Sequence, residues 1–215
     1  MADHGFSVAG YDRNADQLSR LLEEGKGKAV QALPTMAEFV NSLEIPRRIM
    51  MLVPAGKIVD AVIDEITPLL QKGDILIDGG NSHFRDTDAR LGRLATTGIH
   101  FTGMGISGGE DGARLGPSMM PGGNKEGYAD LKNIFEKITA QSDEGACVAF
   151  IGNGSAGHYT KMVHNGIEYA IMQLISEAYA ILKNVAGCTN DELHKIFTKW
   201  NKGVLQSFLI EITAD

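Results

Sequence analysis

One stretch of the sequence places four polar side chains at a spacing that could support acid–base chemistry. They occupy positions i, i+3, i+4 and i+7 and are Lys161, His164, Asn165 and Glu168. In an α-helix these positions share one face. Met162, Val163 and Ile167 lie between them, and we expect these apolar side chains to be buried. Burial lowers the pKa of a lysine and raises that of a glutamate, so such a face could supply a base and an acid near neutral pH. A solvated helix face is the alternative interpretation.

The bulk composition limits the classes of protein to consider. The chain has 215 residues, 43% of them apolar, which suits one large domain or a domain plus part of another. A formal net charge of −7 argues against a general nucleic-acid binder, but not against a local basic pocket for an anionic metabolite. Cys147 and Cys188 lack paired spacing, which fits a reducing, cytoplasmic compartment and no cysteine-based metal site. No uncharged apolar span is long enough for a membrane helix, so no membrane partner is expected.

Apolar runs alternate with helical patterns through most of the sequence. The predicted strands are residues 6–11, 29–33, 47–53, 75–78, 99–106 and 147–151. The predicted helices are residues 16–24, 35–42, 55–70, 82–97, 125–139, 155–185, 190–199 and 204–213. This order predicts an α/β fold with a Rossmann-like, mostly parallel sheet, followed by the start of an all-α domain. We place the boundary near residue 152, which gives domains 1–152 and 153–215.

Polar residues follow several of these strands, where open α/β sheets bind ligands. Asp12, Arg13 and Asn14 follow the predicted strand at residues 6–11. An acidic residue at this place can bind ribose hydroxyls, while an arginine can bind a 2′-phosphate. The two later sets are glycine-rich and read GGNS at 79–82 and SGG at 107–109. We expect the side chain of Asn81 to point into the ligand cleft at the ends of the strands. Ordinary explanations exist for each set: Asn14 and the GGNS segment could cap helices, and the SGG segment could be a plain turn.

Five segments in a fixed order carry a resemblance to a known family. They read GGNS at 79–82, SGGEDGAR at 107–114, GPSMMPGG at 116–123, KMVHNGIEY at 161–169 and SFLIEITA at 207–214. Together they resemble the 6-phosphogluconate dehydrogenase family, the decarboxylating enzymes of the pentose phosphate pathway. The wider β-hydroxyacid dehydrogenase group usually has Asn-Asn where this chain has His164-Asn165, which favours the phosphogluconate branch.

The resemblance implies a role for each predicted site residue. Lys161 would be the base that takes the proton of the substrate 3-hydroxyl and later returns one to the 3-keto oxygen, and Glu168 would be the acid that protonates C1. The residues that would hold 6-phosphogluconate are Asn81, Ser107, Gly108, Gly109, His164, Asn165 and, for the phosphate, Tyr169. The residues that would hold NADP, or NAD, are Asp12, Arg13, Asn14, Val53, Ala55 and Asn81. No metal is implied, because a β-keto acid loses carbon dioxide readily. The family's full-length members are homodimers.

Some features depart from the family pattern. Asp12 stands where NADP-using members more often have asparagine, and it would repel the 2′-phosphate that Arg13 attracts. No G-x-G-x-x-G precedes residue 6. By the resemblance, we expect the chain to lack the first strand of the family's sheet with its glycine fingerprint, and also most of the family's helical domain. Residues 1–215 alone are then expected to be inactive and to bind NADP weakly. Another β-hydroxyacid dehydrogenase and a non-catalytic remnant of the family are the alternatives.

Overall fold

The computed structural model describes residues 1–109 and 112–215. Glu110 and Asp111, which belong to the glycine-rich motif at 107–114, lie outside the described residues. The chain divides into two compact units, Met1–Met162 and Val163–Asp215.

Strands and helices alternate in the first unit, whereas the second unit is helical. The strands are β1 Val8–Gly10, β2 Val30–Ala32, β3 Arg48–Met51, β4 Ile75–Asp78, β5 His100–Ser107, β6 Ser118–Pro121, β7 Gln141–Ser142 and β8 Gly145–Ala146. The helices are α1 Ala15–Glu24, α2 Met36–Asn41, α3 Lys57–Ile66, α4 Phe84–Leu94, α5 Gly109–Leu115, α6 Lys125–Ile138, α7 Ala156–Asn184, α8 Asn190–Trp200 and α9 Phe208–Ala214. Short 3-10 turns cover Ala2–His4 and Thr67–Leu69.

The main sheet has the order β3-β4-β5-β6. β3, β4 and β5 are parallel, with Met51 opposite Asp78 and Asp78 opposite Gly103, while β6 runs antiparallel to β5. The carboxyl ends of β3, β4 and β5 therefore lie at one edge, where the loops that carry predicted site residues emerge. The prediction of a Rossmann-like, mostly parallel sheet followed by a helical region is confirmed.

Alternate side chains of β4 are buried on opposite faces of this sheet. Leu76 packs with α3 and α4 in one apolar cluster, and Ile75 and Ile77 pack with α6 in a second cluster. All three are almost fully buried. A strand covered on both faces needs a continuous apolar run rather than an alternating one, and residues 75–77 supply it.

β1 and β2 pair in parallel as a separate two-stranded sheet in the first unit. A cavity of about 600 Å³ lies beside it, and the main sheet and α6 contribute to its walls. The apolar side chains that line this cavity include Phe6, Val8, Val30, Met50, Ile77, Leu131, Ile134 and Phe135.

The second unit buries a small core of Leu193, Phe197 and Ile210. α8 and α9 cover the side of α7 that carries Ile175 and Leu182. Other apolar side chains on α7 remain exposed, so the expectation that the residues between the polar positions are buried is wrong. Their exposed fractions are Met162 39%, Val163 42% and Ile167 58%.

Several boundaries differ from those that the sequence predicts. The predicted strand at 147–151 is wrong, because within this segment only Val148 forms a bridge, with Met119. A second isolated bridge joins Gly152 to Gly122 just after it. β6 was not predicted, because Pro117, Pro121 and the adjacent glycines interrupt the pattern of a strand. The last helix begins at Phe208 rather than at residue 204, because the Ser207 side chain caps it. In the described ranges, no helix is both long and apolar enough to cross a membrane.

Candidate active site

The first two turns of α7 lie directly on β5, where the glycines of the strand contribute no side chain to the contact. A Cβ atom on Gly105 would clash with Cβ of Lys161, and one on Gly157 would clash with the carbonyl oxygens of Met120 and Gly103. The glycines therefore permit a close approach of helix and strand that a larger residue would prevent. This packing leaves Lys161 only 7% exposed.

Ser107 ends β5 and lies on the same face of the strand as the glycines that contact α7. Residues 103, 105 and 107 alternate along β5, so their side-chain positions point to one side. Gly108 and Gly109 follow with φ of 131° and 62°, and a side chain at either position would strain the backbone. The Ser107-Gly108-Gly109 turn is thus brought to the side of β5 on which Lys161 lies.

The Asp78 carboxylate holds the loop that carries Asn81 in place. One carboxylate oxygen accepts the Gly80 backbone N–H at 3.1 Å, and the other accepts the Ser82 hydroxyl at 2.7 Å. Asp78 and Ser82 are buried, whereas Asn81 between the two contacts is exposed. The side chain of Asn81 is therefore presented to solvent by a loop that is fixed on both sides.

Val53 and Ala55 lie in the loop after β3, beside the Asn81 loop. The Gly79 N–H donates to the Met51 carbonyl at 3.0 Å, and a Cβ atom on Gly80 would lie 3.0 Å from the Val53 carbonyl. Val53 packs against the apolar core, while Ala55 is exposed. The structure thus brings these two predicted cofactor-binding residues next to the loop of a third, Asn81.

The turn at residues 12–14 contains a helix cap formed by Asn14, as the alternative interpretation of this segment predicts. The Asn14 side chain caps α1 by accepting the Asp16 N–H at 2.9 Å, and Asp12 accepts the Asn14 N–H at 2.7 Å. Arg13 is exposed and pairs with Glu65 of α3 at 2.6 Å. Solvent screens exposed pairs of this kind strongly and makes them weak, so Arg13 can exchange Glu65 for another anion.

The second unit carries the remaining predicted residues at the start of its part of α7. His164 Nδ1 lies 3.8 Å from a Glu168 carboxylate oxygen and 3.4 Å from Oδ1 of Asn165. The side chains of His164 and Glu168 are 36% and 40% exposed, and Tyr169 is 72% exposed. The helical spacing thus brings His164 and Glu168 together, while Tyr169 projects into solvent.

Arg90 forms a buried ionic cluster beneath the Asn81 loop. Its guanidinium donates to Asp78, Ser82, Asp60 and the carbonyl of Gly56 at 2.9–3.2 Å. Burial opposes the charge on Arg90, but its bonds and charge interactions with Asp60 and Asp78 outweigh burial and raise its pKa. The same hydrogen bond from Arg90 lowers the pKa of Asp60. The cluster ties the loops after β3 and β4 to α4.

Sequence reasoning missed this cluster and also missed His158. His158 is 1% exposed, and its Nδ1 lies 2.7 Å from the Thr87 hydroxyl. Two signals were available: His158 lies three residues before Lys161 on a helix, and alternating glycines in a strand mark close backbone approach. Among the described residues, no group of three or more histidine, cysteine, aspartate or glutamate side chains could hold a metal ion.

Comparison with known proteins identifies related sequences along the whole chain. Residues 1–152 match the profile described as the NAD binding domain of 6-phosphogluconate dehydrogenase. Residues 157–215 match that of the 6-phosphogluconate dehydrogenase C-terminal domain. The two profiles divide before α7 begins to pack on β5, whereas the compact units divide inside α7 at Met162.

Individual relatives agree with these profiles. The chain is 53% identical over 215 residues to 6-phosphogluconate dehydrogenase, decarboxylating 1, of Saccharomyces cerevisiae, covering 100% of this chain and 44% of the relative. It is 55% identical over 211 residues to the NADP(+)-dependent, decarboxylating 6-phosphogluconate dehydrogenase of Bacillus subtilis, covering 98% and 45%. The solved structure of Plasmodium falciparum 6-phosphogluconate dehydrogenase superposes with a TM-score of 0.95 at 43% identity, covering 99% and 46%. The chain thus spans somewhat less than half the length of these relatives.

Proposed function

The chain belongs to the 6-phosphogluconate dehydrogenase family, and on that premise we propose that it takes part in the NADP-dependent oxidative decarboxylation of 6-phosphogluconate. The products would be ribulose 5-phosphate, carbon dioxide and NADPH. The observation that carries this proposal is the identity of 53–55% along the chain to relatives named for this enzyme. The burial of Lys161, the residue that the resemblance implies to be the base, also supports the proposal.

Lys161 acts as the base in this proposal. Its neutral amine takes the proton of the substrate 3-hydroxyl while the hydride on C3 leaves. The resulting β-keto acid loses carbon dioxide, and the protonated lysine returns a proton to the 3-keto oxygen to give an enediol. Because Cβ and Cγ of Lys161 pack against Gly105, the base of its side chain is held in place before substrate binds.

Glu168 acts as the acid that protonates C1 of the enediol while the enediol hydroxyl loses its proton to solvent, which completes ribulose 5-phosphate. The residues that hold the sugar acid in this proposal are those that the resemblance implies: Asn81, Ser107, Gly108, Gly109, His164, Asn165 and Tyr169. Ser107 supplies a hydroxyl and Asn81 an exposed amide, groups that suit a hydroxyl-rich carboxylate. Glu168 lies one helical turn after His164, which orients its carboxyl group.

The residues present fit NADP, which accepts the substrate hydride when it is bound. Arg13 offers an exposed cation for the 2′-phosphate, and its exposed ion pair with Glu65 is weak enough to exchange. Asp12 opposes that phosphate by charge and suits the free ribose of NAD, so both cofactors are accommodated with a preference for NADP. Val53, Ala55, Asn14 and Asn81 complete the cofactor-binding set.

We further propose that residues 1–152 and 153–215 are the functional domains, in accord with the division between the two family profiles. We also propose a cytoplasmic homodimer. Cys147 and Cys188 are both free thiols, which suits a reducing compartment. The homodimer follows from the resemblance, and light scattering of the purified protein tests it.

The direct test of the proposed function is an assay, with 6-phosphogluconate and NADP, of a full-length protein that contains this chain, because residues 1–215 alone are expected to be inactive. Kinetic measurements on the variants use the same full-length protein. We expect NADPH and carbon dioxide to form in equal amounts. The same assay with 3-hydroxyisobutyrate is the control for another β-hydroxyacid dehydrogenase. Turnover of 3-hydroxyisobutyrate but not of 6-phosphogluconate, or no turnover of either, would contradict the proposal.

A further inference from the structure

One face of α4 lies against the start of α7. Three successive contacts join the two helices: Phe84 packs edge-to-face on Tyr159 at 5.3 Å, the Thr87 hydroxyl meets His158 Nδ1 at 2.7 Å, and the Ser155 N–H donates to Asp88 at 3.2 Å. Phe84, Thr87 and Asp88 occupy positions i, i+3 and i+4, the spacing of a single helix face. The contact is therefore a continuous strip rather than an isolated hydrogen bond.

The Thr87–His158 hydrogen bond lies at the centre of this strip and is shielded from water. Thr87 is fully buried and His158 is 1% exposed. Burial lowers the pKa of His158, although the Asp78 charge and the backbone of Gly80 and Asp78 oppose that shift. Because the imidazole is then neutral, one ring nitrogen donates and the other accepts. Within the described part of the chain, Thr87 makes the well-formed hydrogen bond to the ring, whereas Nε2 lacks a partner of good geometry and the backbone of Asp78 and Gly80 interacts with the ring more weakly.

The two joined helices each lead to a residue of the candidate site. α4 begins just after Asn81, and Thr87 lies on its first turns. His158 lies one turn before Lys161 on α7, and both side chains sit against glycines of β5: a Cβ on Gly103 would lie 2.8 Å from His158 Nδ1, and one on Gly105 would clash with Lys161. A slide or rotation of α7 along the glycines of β5 would move Lys161 relative to Asn81.

We propose that the contact of α4 with α7, centred on Thr87 and His158, fixes the position of Lys161 relative to the Asn81 loop, so that Thr87 and His158 are positioning residues. The effect on turnover rests on the proposed function, whereas the effect on the placement of Lys161 does not. Thr87 and His158 act through the backbone of α7.

Thr87→Val tests the proposal because it removes the hydroxyl and keeps the shape of the side chain. One readout is independent of activity: the rate at which an acylating reagent modifies Lys161, measured by mass spectrometry relative to exposed Lys199. We expect this rate to rise several-fold in Thr87→Val. The second readout is steady-state kinetics, in which we expect kcat to fall about tenfold, since small displacements of a catalytic group reduce turnover strongly. KM for NADP should stay within about twofold of its original value.

Two variants separate positioning from a general loss of stability. Thr87→Ser keeps the hydroxyl and should restore both the slow labelling of Lys161 and kcat. Thr97→Val removes a hydroxyl that bonds the Leu94 carbonyl just beyond the far end of α4, and it should change neither readout. If Thr87→Val does not fold, His158→Leu compared with His158→Asn provides the same contrast at the other partner.

The outcomes distinguish this proposal from the proposed function. If Lys161 labelling responds to Thr87→Val but the unmodified protein does not oxidise 6-phosphogluconate, the proposed function fails and the positioning role stands. If Lys161 labelling in Thr87→Val equals that of the unmodified protein, the positioning role is overturned whatever the activity. An equal increase in Thr97→Val would also overturn it, because the effect would then report stability alone.

Discussion

Lys161 and Glu168 lie on one helix, yet their surroundings differ strongly. In the first unit Lys161 is 7% exposed and its helix packs on glycines of β5. In the second unit the Glu168 side chain is 40% exposed, and among the described residues it contacts His164 at 3.8 Å. The difference indicates that the fold of the first unit places the proposed base, whereas the second unit leaves the proposed acid free to adjust.

The largest effect should follow removal of the proposed base. Lys161→Met should lower kcat by more than about 10²–10⁴-fold, the range for a single acid–base step, because Lys161 acts in two steps. Lys199→Met, which removes an exposed lysine, should leave kcat unchanged. Steady-state kinetics with 6-phosphogluconate and NADP provide the measurement. A Lys161→Met variant that keeps more than about a tenth of the activity would assign the base elsewhere.

The buried ionic cluster beneath the Asn81 loop can be disrupted by a substitution at Arg90. Arg90→Leu leaves Asp78 buried without its cation and should lower the free energy of unfolding by about 3–5 kcal/mol. Arg93→Leu on the same helix removes exposed pairs with Asp60 and Asp64 and should change it by about 1 kcal/mol or less. Urea denaturation compares the two. Equal losses would mean that the buried cluster does not anchor this region.

A substitution at Glu168 tests the role of the exposed, proposed acid. Glu168→Gln removes the transferable proton but keeps the size of the side chain, and kcat should fall about 10²-fold, less than for Lys161→Met. Glu177→Gln on the same helix is the control and should have no effect on kcat. A larger loss for Glu168→Gln than for Lys161→Met would reverse the proposed order of importance.

His158 makes the stability of the first unit depend on pH. Because burial lowers its pKa in the folded protein below the ordinary 6.5, the unfolded chain binds more protons as the pH falls through that value. The free energy of unfolding should therefore decrease between pH 7 and pH 5, by at most about 1.4 kcal/mol per pH unit from this residue. Denaturation of His158→Asn at several pH values should show a shallower slope, and an unchanged slope would contradict the assignment.

The smallest effect concerns the choice of cofactor. Asp12→Asn removes one exposed negative charge beside Arg13, so the ratio of kcat/KM for NADP to that for NAD should rise by up to about fivefold. Arg13→Gln should change the ratio in the opposite direction. If Asp12→Asn leaves the ratio unchanged, Asp12 does not face the ribose.

Local signals in the sequence predicted much of this arrangement. The apolar run at 75–78 matches β4 residue for residue, and the helical spacing of residues 161–168 lies within α7. The burial of individual residues was harder to predict, because it depends on which helices pack together. Val163 and Ile167 are exposed since α8 and α9 cover another side of α7. Thr87, Arg90 and His158 carried no motif, and only the packing of α4 on α7 and of β3 beside β4 gives them a role.

The central claim is that the first unit alone fixes the part of α7 that carries Lys161. Hydrogen exchange of the purified protein, read residue by residue along α7, tests it most directly. We predict slow exchange of the backbone amides of residues 159–162, which pack on β5 and α4, and markedly faster exchange of those of residues 164–169. Equal protection of both segments, or faster exchange at 159–162, would contradict the claim.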